Sequence, residues 1–215
     1  MKKSDATREK ILEAALRLFR KRGFERTTMR DVAKAADLAV GAAYYYFPSK
    51  DALVLAYYDR TQEAHSTLAR EGMKKAASTD ERLRAVLHTK FDTIERDRKL
   101  LSALFRSIGD PTSELSIFAT KTRRVRDESI ALFREALEPE KLPKELETSI
   151  ALAFWSLSMG IMLFFIHDES PKHQKTRLLI DRSVELVAPM LPMAPMLAPL
   201  GTPLIATLRE VGLAE

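Results

Sequence analysis

An all-α fold in two parts, a small three-helix head and a larger helical body, is what this 215-residue sequence predicts. Three observations carry the expectation. Apolar residues recur at three- and four-residue intervals along most of the chain, and no stretch sustains strand-like alternation. The first fifty residues also hold three short helical segments, the last two joined by only a few residues, which is the helix-turn-helix arrangement or, more blandly, a helical hairpin. With 46% hydrophobic and 30% charged residues, the composition is that of a globular chain with a real core.

In the first predicted helix, Ile11, Leu12, Ala15, Leu16, Leu18 and Phe19 share a face. Gly23 is placed to end it with a positive φ, and Phe24 to fold back on the apolar side. A second helix over 28–36 opens with Thr28-Met29-Arg30-Asp31, a T-x-x-acid start with Thr28 as N-cap and Val32, Ala33 and Ala36 inward. The connection through Asp37 calls for a residue that tolerates a left-handed conformation. A third helix spans 39–47, with Leu38, Ala43 and Phe47 as core. It stops before Pro48, and Ser49 caps a fourth beginning at Lys50.

The body is expected to be helical over 50–75, 81–97 (capped by Asp80), 98–108, 113–137, 146–166 and 172–190. Prolines 189, 192, 195, 199 and 203 forbid one continuous helix near the end, where a last short helix over 204–213 is expected. This organisation gives a head over 1–50, a body over 51–190 and a proline-rich tail over 191–215.

Charge separates the first two parts. Residues 1–50 contain twelve Lys or Arg against six Asp or Glu, a balance of +6; the other 165 hold 23 against 24, a balance of −1. Such asymmetry suits a polyanion-binding module on a neutral body, although a solvated charged face would give the same count. No cysteine is present, which excludes disulfides, thiol nucleophiles and thiolate metal sites. The charged start carries no secretory pattern, so a cytoplasmic location is expected.

The run from Thr27 to Leu53, TTMRDVAKAADLAVGAAYYYFPSKDAL, with the preceding Gly23-Phe24, strongly resembles the DNA-binding signature of the tetracycline-repressor (TetR) family of bacterial transcriptional regulators. The resemblance implies that the third helix enters the major groove, offering Val40, Gly41, Ala42, Tyr44 and Tyr45. Val40 and Ala42 suit thymine methyls, and Gly41 allows close backbone approach; none of these three makes bidentate bonds to guanine or adenine. Tyr45 and Arg30 are therefore the polar base-reading candidates. Tyr46 and Lys50 match the family's phosphate-contacting positions, joined by Thr28, Arg26 and Tyr44. Helical geometry prevents all three tyrosines from facing one way, so at least one should pack inward. Two departures stand out: Asp37 replaces the usual turn glycine, and Ala39 replaces a Ser or Thr at the start of the recognition helix.

The 150–166 segment is nearly all apolar, but it is short for a membrane span and flanked by Glu147 and His167-Asp168-Glu169, so a buried helix is expected and no membrane partner. Its small residues Ser149, Ala153, Ser156 and Gly160 form a stripe that admits a close helix, and Ile180, Val184, Val187 and Leu191 repeat the spacing. The resemblance implies a four-helix homodimer interface from the last two body helices; packing within one subunit is the alternative. Two recognition helices about 34–36 Å apart would read a palindromic operator in double-stranded DNA. The resemblance also implies a small-molecule effector pocket, for which Phe91, Ile94, Leu104, Phe105, Phe118, Met159 and Met162 are candidates, or else plain core.

Rival classes have less behind them. The sequence has no G-x-S-x-G, G-x-G-x-x-G, Walker loop or H-E-x-x-H, so no catalytic residue, cofactor or metal is expected. His167, Asp168, Glu169 and His173 read as a solvated turn before a metal site. A helical adaptor without specific DNA binding is the alternative function, and it leaves the basic first quarter unexplained. The sequence points to a ligand-released repressor.

Overall fold

A computed structural model describes residues 3–196, 207 and 210 of the chain. These contain helices α1 (Lys3–Arg22), α2 (Met29–Ala35), α3 (Val40–Tyr46), α4 (Lys50–Lys75), α5 (Thr79–Ile94), α6 (Arg98–Gly109), α7 (Arg123–Leu137), α8 (Lys144–His167) and α9 (Gln174–Val187), with short 3₁₀ turns and, among the described residues, no strand. The expected helix over 204–213 lies outside the described residues apart from 207 and 210.

The chain folds into two compact units that do not follow the expected boundary at residue 50. One comprises residues 1–63 and 94–126, the other 64–93 and 127–215, so α4 contributes to both. The first unit gathers α1–α3, the first part of α4, and α6. The apolar face of α1 (Ile11, Leu12, Ala15, Leu16 and Phe19) is fully enclosed, with Phe24 folded back edge-on to the Phe19 ring at 5.2 Å. Gly23, at φ 91°, makes that return. Asp37 takes the left-handed turn at φ 53° that a glycine would otherwise occupy. Arg60 of α4 grips Glu9 and Glu13 of α1, and Arg20 of α1 binds the buried Asp97 beside α6. These ties explain why α6, remote in sequence, belongs to this unit.

The second unit packs the rest of α4 with α5, α7, α8 and α9. Gly72 lets α4 and α5 approach closely: a Cβ there would come within 2.9 Å of the Ala85 Cβ. Phe91 meets Phe165, and Phe133 stacks on Phe154. Helix α8 is long and apolar enough to cross a membrane by length and composition. Ala151, Leu152, Phe154, Trp155, Ser158, Ile161, Phe165 and Ile166 nevertheless pack into the unit's own core.

Three expected elements differ. Helix α5 starts at Thr79, not after Asp80, because Ser78 is the cap: its hydroxyl accepts from Glu81 N, while Glu81 accepts from Ala77 N at 2.7 Å. Residues 113–122 are not helical as a whole. Leu115 N and Phe118 N donate to the hydroxyls of Ser113 and Ser116, local bonds that compete with the helical ladder, and α7 begins only at Arg123. Helix α9 ends at Val187, and the proline-bearing Ala188–Met193 segment tightens into 3₁₀ turns.

Candidate nucleic-acid interface and the helical body

The helix-turn-helix is held from within and leaves one side open. Ala43 of α3 and Phe47 at its C-cap are buried, as are Met29, Val32, Ala33 and Ala36, whereas Leu38 stays partly open. Thr28 accepts from Asp31 N and donates to Asp31 Oδ2 at 2.7 Å, and that carboxylate takes Thr28 N at 2.9 Å. The capping box is closed, and these bonds, assisted by Arg22, hold the Asp31 pKa down at about 2. Ala39 starts α3 with no side-chain cap, the structural consequence of the missing hydroxyl.

On the open side stand Arg30, Val40, Gly41, Tyr44 and Tyr45, with Arg26 and Thr28 also exposed. Tyr45 is 83% exposed and Tyr44 49%, so neither serves the core. Tyr46 is the most enclosed of the three, its ring edge-on to Tyr45 at 5.2 Å; Ala42 is also half-buried. Two candidates have structural duties besides. The Thr28 hydroxyl proton is engaged by Asp31, and Arg26 Nε donates to Arg22 O at 2.9 Å.

Lys50 is more constrained than its sequence position suggested. Its Nζ donates to Phe24 O at 3.0 Å and Glu25 O at 3.4 Å and lies 4.3 Å from the Phe24 ring centroid. These acceptors are neutral, so the charge stays uncompensated at the start of α4. Arg8, at 4.9 Å over the Phe47 ring, fixes α1 to the end of α3 in the same manner. Sequence reading missed both cation–aromatic contacts, because their partners are 26 and 39 residues apart in the chain.

In the body, the small-residue stripe of α8 is open. Ala153, Ser156 and Gly160 are exposed, Ser149 half-buried, and nothing lies within 4 Å of where a Gly160 Cβ would stand. Leu163 and Phe164 extend this open face. The α9 row is different. Ile180, Val184 and Leu191 are buried in their own subunit and Val187 half-buried. The outward row of α9 is instead Leu178, Leu179 and Leu186, continued by Met190, with Leu186 72% exposed. The inward row recurs at intervals of four, three and four residues, the outward leucines less regularly, and sequence alone does not say which faces in.

The seven expected effector-contacting residues are not brought into one unit. Phe91, Met159 and Met162 belong to the second; Ile94, Leu104, Phe105 and Phe118 to the first, where Phe118 is 49% exposed. Asp168 is a capping residue: it takes Ser170 N and Oγ on one oxygen, and Thr176 N and Oγ1 on the other. Those bonds outweigh its burial and depress its pKa.

Comparison with known proteins fits this geometry. Residues 11–57 match the description "Bacterial regulatory proteins, tetR family", and residues 82–200 match "Tetracyclin repressor-like, C-terminal domain". The chain is 36% identical over 121 residues to the HTH-type transcriptional regulator TtgR of Pseudomonas putida, covering 56% of this chain and 48% of that protein. It is 35% identical over 121 residues to the probable regulator ArpR of the same species, with the same coverage. The chain thus matches about half the length of these curated relatives. Among solved structures, a TetR regulator from Nitrosomonas europaea superposes with a TM-score of 0.66 at 21% identity, over 84% of this chain and 97% of that one. FadR of Bacillus subtilis, solved with stearoyl-CoA, gives 0.64 at 15% identity, over 82% and 96%; these two likenesses speak to the fold. With both of its domains matched in order, the chain belongs to the TetR family of bacterial regulatory proteins.

Proposed function

We propose that this protein is a sequence-specific DNA-binding transcriptional repressor that acts as a homodimer on a palindromic operator and is released by an apolar small-molecule effector. The observation that carries the reading is the open face of α2 and α3. A large aromatic, Tyr45, stands almost wholly in solvent with Arg30, Val40 and Gly41 also exposed, on a scaffold whose α2 capping box is closed and whose Ala43 and Phe47 are buried. Small residues let the helix backbone come near base edges, and the basic excess of the first fifty residues supplies the salt-dependent attraction. Lys50, whose Nζ bonds the neutral carbonyls of Phe24 and Glu25, contributes to phosphate contact.

Homodimerisation is supported by the open small-residue stripe of α8 and the outward leucines of α9, since a contiguous apolar surface rarely stays bare. In the effector step, a ligand must favour a state in which the two heads no longer match the operator spacing, because equal affinity for both states shifts nothing. Helix α4 is the natural lever: Lys50 lies at its first residue, and its last turns belong to the second unit.

Operator selection from random duplexes, followed by binding across a salt series, tests the reading. Specific duplex binding that weakens steeply with salt supports it; indifference to every duplex at low salt favours a helical adaptor. Because FadR of Thermus thermophilus, a fold neighbour at 23% identity and TM-score 0.61, was solved with lauroyl-CoA, that compound is a first effector to add.

A further inference from the structure

Three helices bring polar groups together in the interior of the second unit: His65 of α4, Lys90 of α5 and Ser158 of α8. Lys90 Nζ donates to Ser158 Oγ at 3.1 Å. Ser158, itself wholly buried, commits its own proton to Trp155 O at 2.7 Å, so it accepts from the lysine. Two of the three ammonium N–H groups are left without an acceptor among the described residues, and no carboxylate there pairs with Lys90. His65 offers no counter-charge. Its Nε2 faces Val86 O at 2.9 Å and therefore carries the proton, while burial and then the Lys90 charge lower its pKa to about 4.

A lysine here is expensive. It stands among Val86, Leu87 and Phe91, all buried, where a methionine or leucine would pack without leaving a cation unpaired. Burial pushes the ammonium down to about 7, yet part of the residue remains open to solvent, so the group is enclosed without being sealed.

We infer that Lys90 anchors the carboxylate of an amphipathic organic acid whose apolar portion lies among the side chains of the second unit; this rests on the body being an effector-binding module. Charge selects the class. One lysine beside a neutral histidine and a serine balances a monoanion, whereas a phosphate dianion would leave a buried negative charge uncompensated. The carboxylate fills the two idle N–H donors with charge-assisted bonds. For the apolar part, Phe91 follows Lys90 on α5 and meets the Phe165 ring of α8 at 5.2 Å, and Met162 lies one turn beyond Ser158 on α8.

The test is calorimetry on the full chain without DNA, using straight-chain acids from hexanoate to hexadecanoate and the alcohols of matching length. The expected result is that the best acid binds about tenfold or more tighter than its alcohol, a preference worth the charge-assisted bonds. Above pH 7, acid binding should take up protons, because the carboxylate favours the ammonium. Lys90→Met should abolish both the preference and the uptake while alcohol binding persists; Lys90→Gln makes the same comparison should that variant misfold. Ser158→Ala, which keeps the charge, should retain the preference. The inference fails if no acid binds, if acids and alcohols bind alike, or if the preference survives loss of the lysine. An acid that binds at Lys90 yet leaves a selected operator occupied would instead sink the effector reading and spare the anchor.

Discussion

The head and the body of this molecule solve opposite problems. The head buries an apolar interior under a closed capping box and exposes tyrosines, an arginine and a nearly bare backbone; the body exposes aliphatic rows and keeps a lysine without a carboxylate partner inside. In the head, polar groups meet each other at the surface: Thr28 with Asp31, Arg22 with Asp31, Lys50 with the Phe24 and Glu25 carbonyls. In the body, the open α8 and α9 faces are uncovered, and Lys90 meets Ser158 with no carboxylate beside it. A surface rich in satisfied polar contacts and charge suits a polyanion, whereas bare leucines and a lone buried cation suit a second copy of the chain and a small acid.

The contrast breaks most visibly at the body surface. Gly160→Arg places a charged side chain on the open stripe, where nothing in the same subunit would clash. The expected outcome is a monomer by sedimentation that keeps its helical circular-dichroism spectrum, with a thermal midpoint lowered by loss of the dimer linkage and operator affinity lower by about a hundredfold or more because the two half-sites are no longer linked. A dimer that persists would move the interface elsewhere. Next in size is Tyr45→Ala, expected to change relative affinities among operator variants by about tenfold while stability stays within about 0.5 kcal/mol, as befits a residue this exposed. Unchanged preferences in competition binding would remove Tyr45 from base reading.

Smaller effects sharpen the account of the head. Thr28→Val removes the cap hydroxyl and should cost about 1 kcal/mol in urea unfolding. Lys50→Ala should reduce the salt slope of DNA binding by about one, alongside a modest loss of stability from the vacated Phe24 ring and carbonyls.

The most gradual effect is the pH dependence of stability. The unfolded chain protonates His65 near pH 6.5, whereas the folded chain does so only near 4, so stability falls as pH drops across that interval. Lys90 acts in the same direction higher up: the unfolded lysine holds its proton up to about 10.5 and the folded one only to about 7, so stability rises with pH between them. Lys90→Met should flatten the upper window in urea titrations and narrow the lower one, because part of the His65 depression comes from the Lys90 charge.

How much of this could be read from the residues depends on whether a local rule or a distant neighbour decided the outcome. The Thr28 cap, the left-handed Asp37 and the end of α3 before Pro48 are local, and they stand where the sequence put them. The start of α5 was equally local, but Ser78-Thr79-Asp80-Glu81 contains two capping candidates, and the serine prevails with Glu81 reaching back. The helical reading of 113–122 weighed apolar spacing over the side-chain-to-backbone bonds of Ser113 and Ser116. The α9 rows needed tertiary packing, since two apolar faces compete. Lys90 left a faint signal, a charge at an apolar-face position between Val86 and Ile94.

The central claim is that two copies of the head, held at fixed spacing by the body, read duplex DNA. Fluorescence anisotropy on a selected palindromic duplex, with stoichiometry taken at saturation and affinity followed across salt, tests it most directly. Two chains per duplex and a steep loss of affinity as salt rises are expected; a single chain that ignores the duplex even at low salt would contradict it.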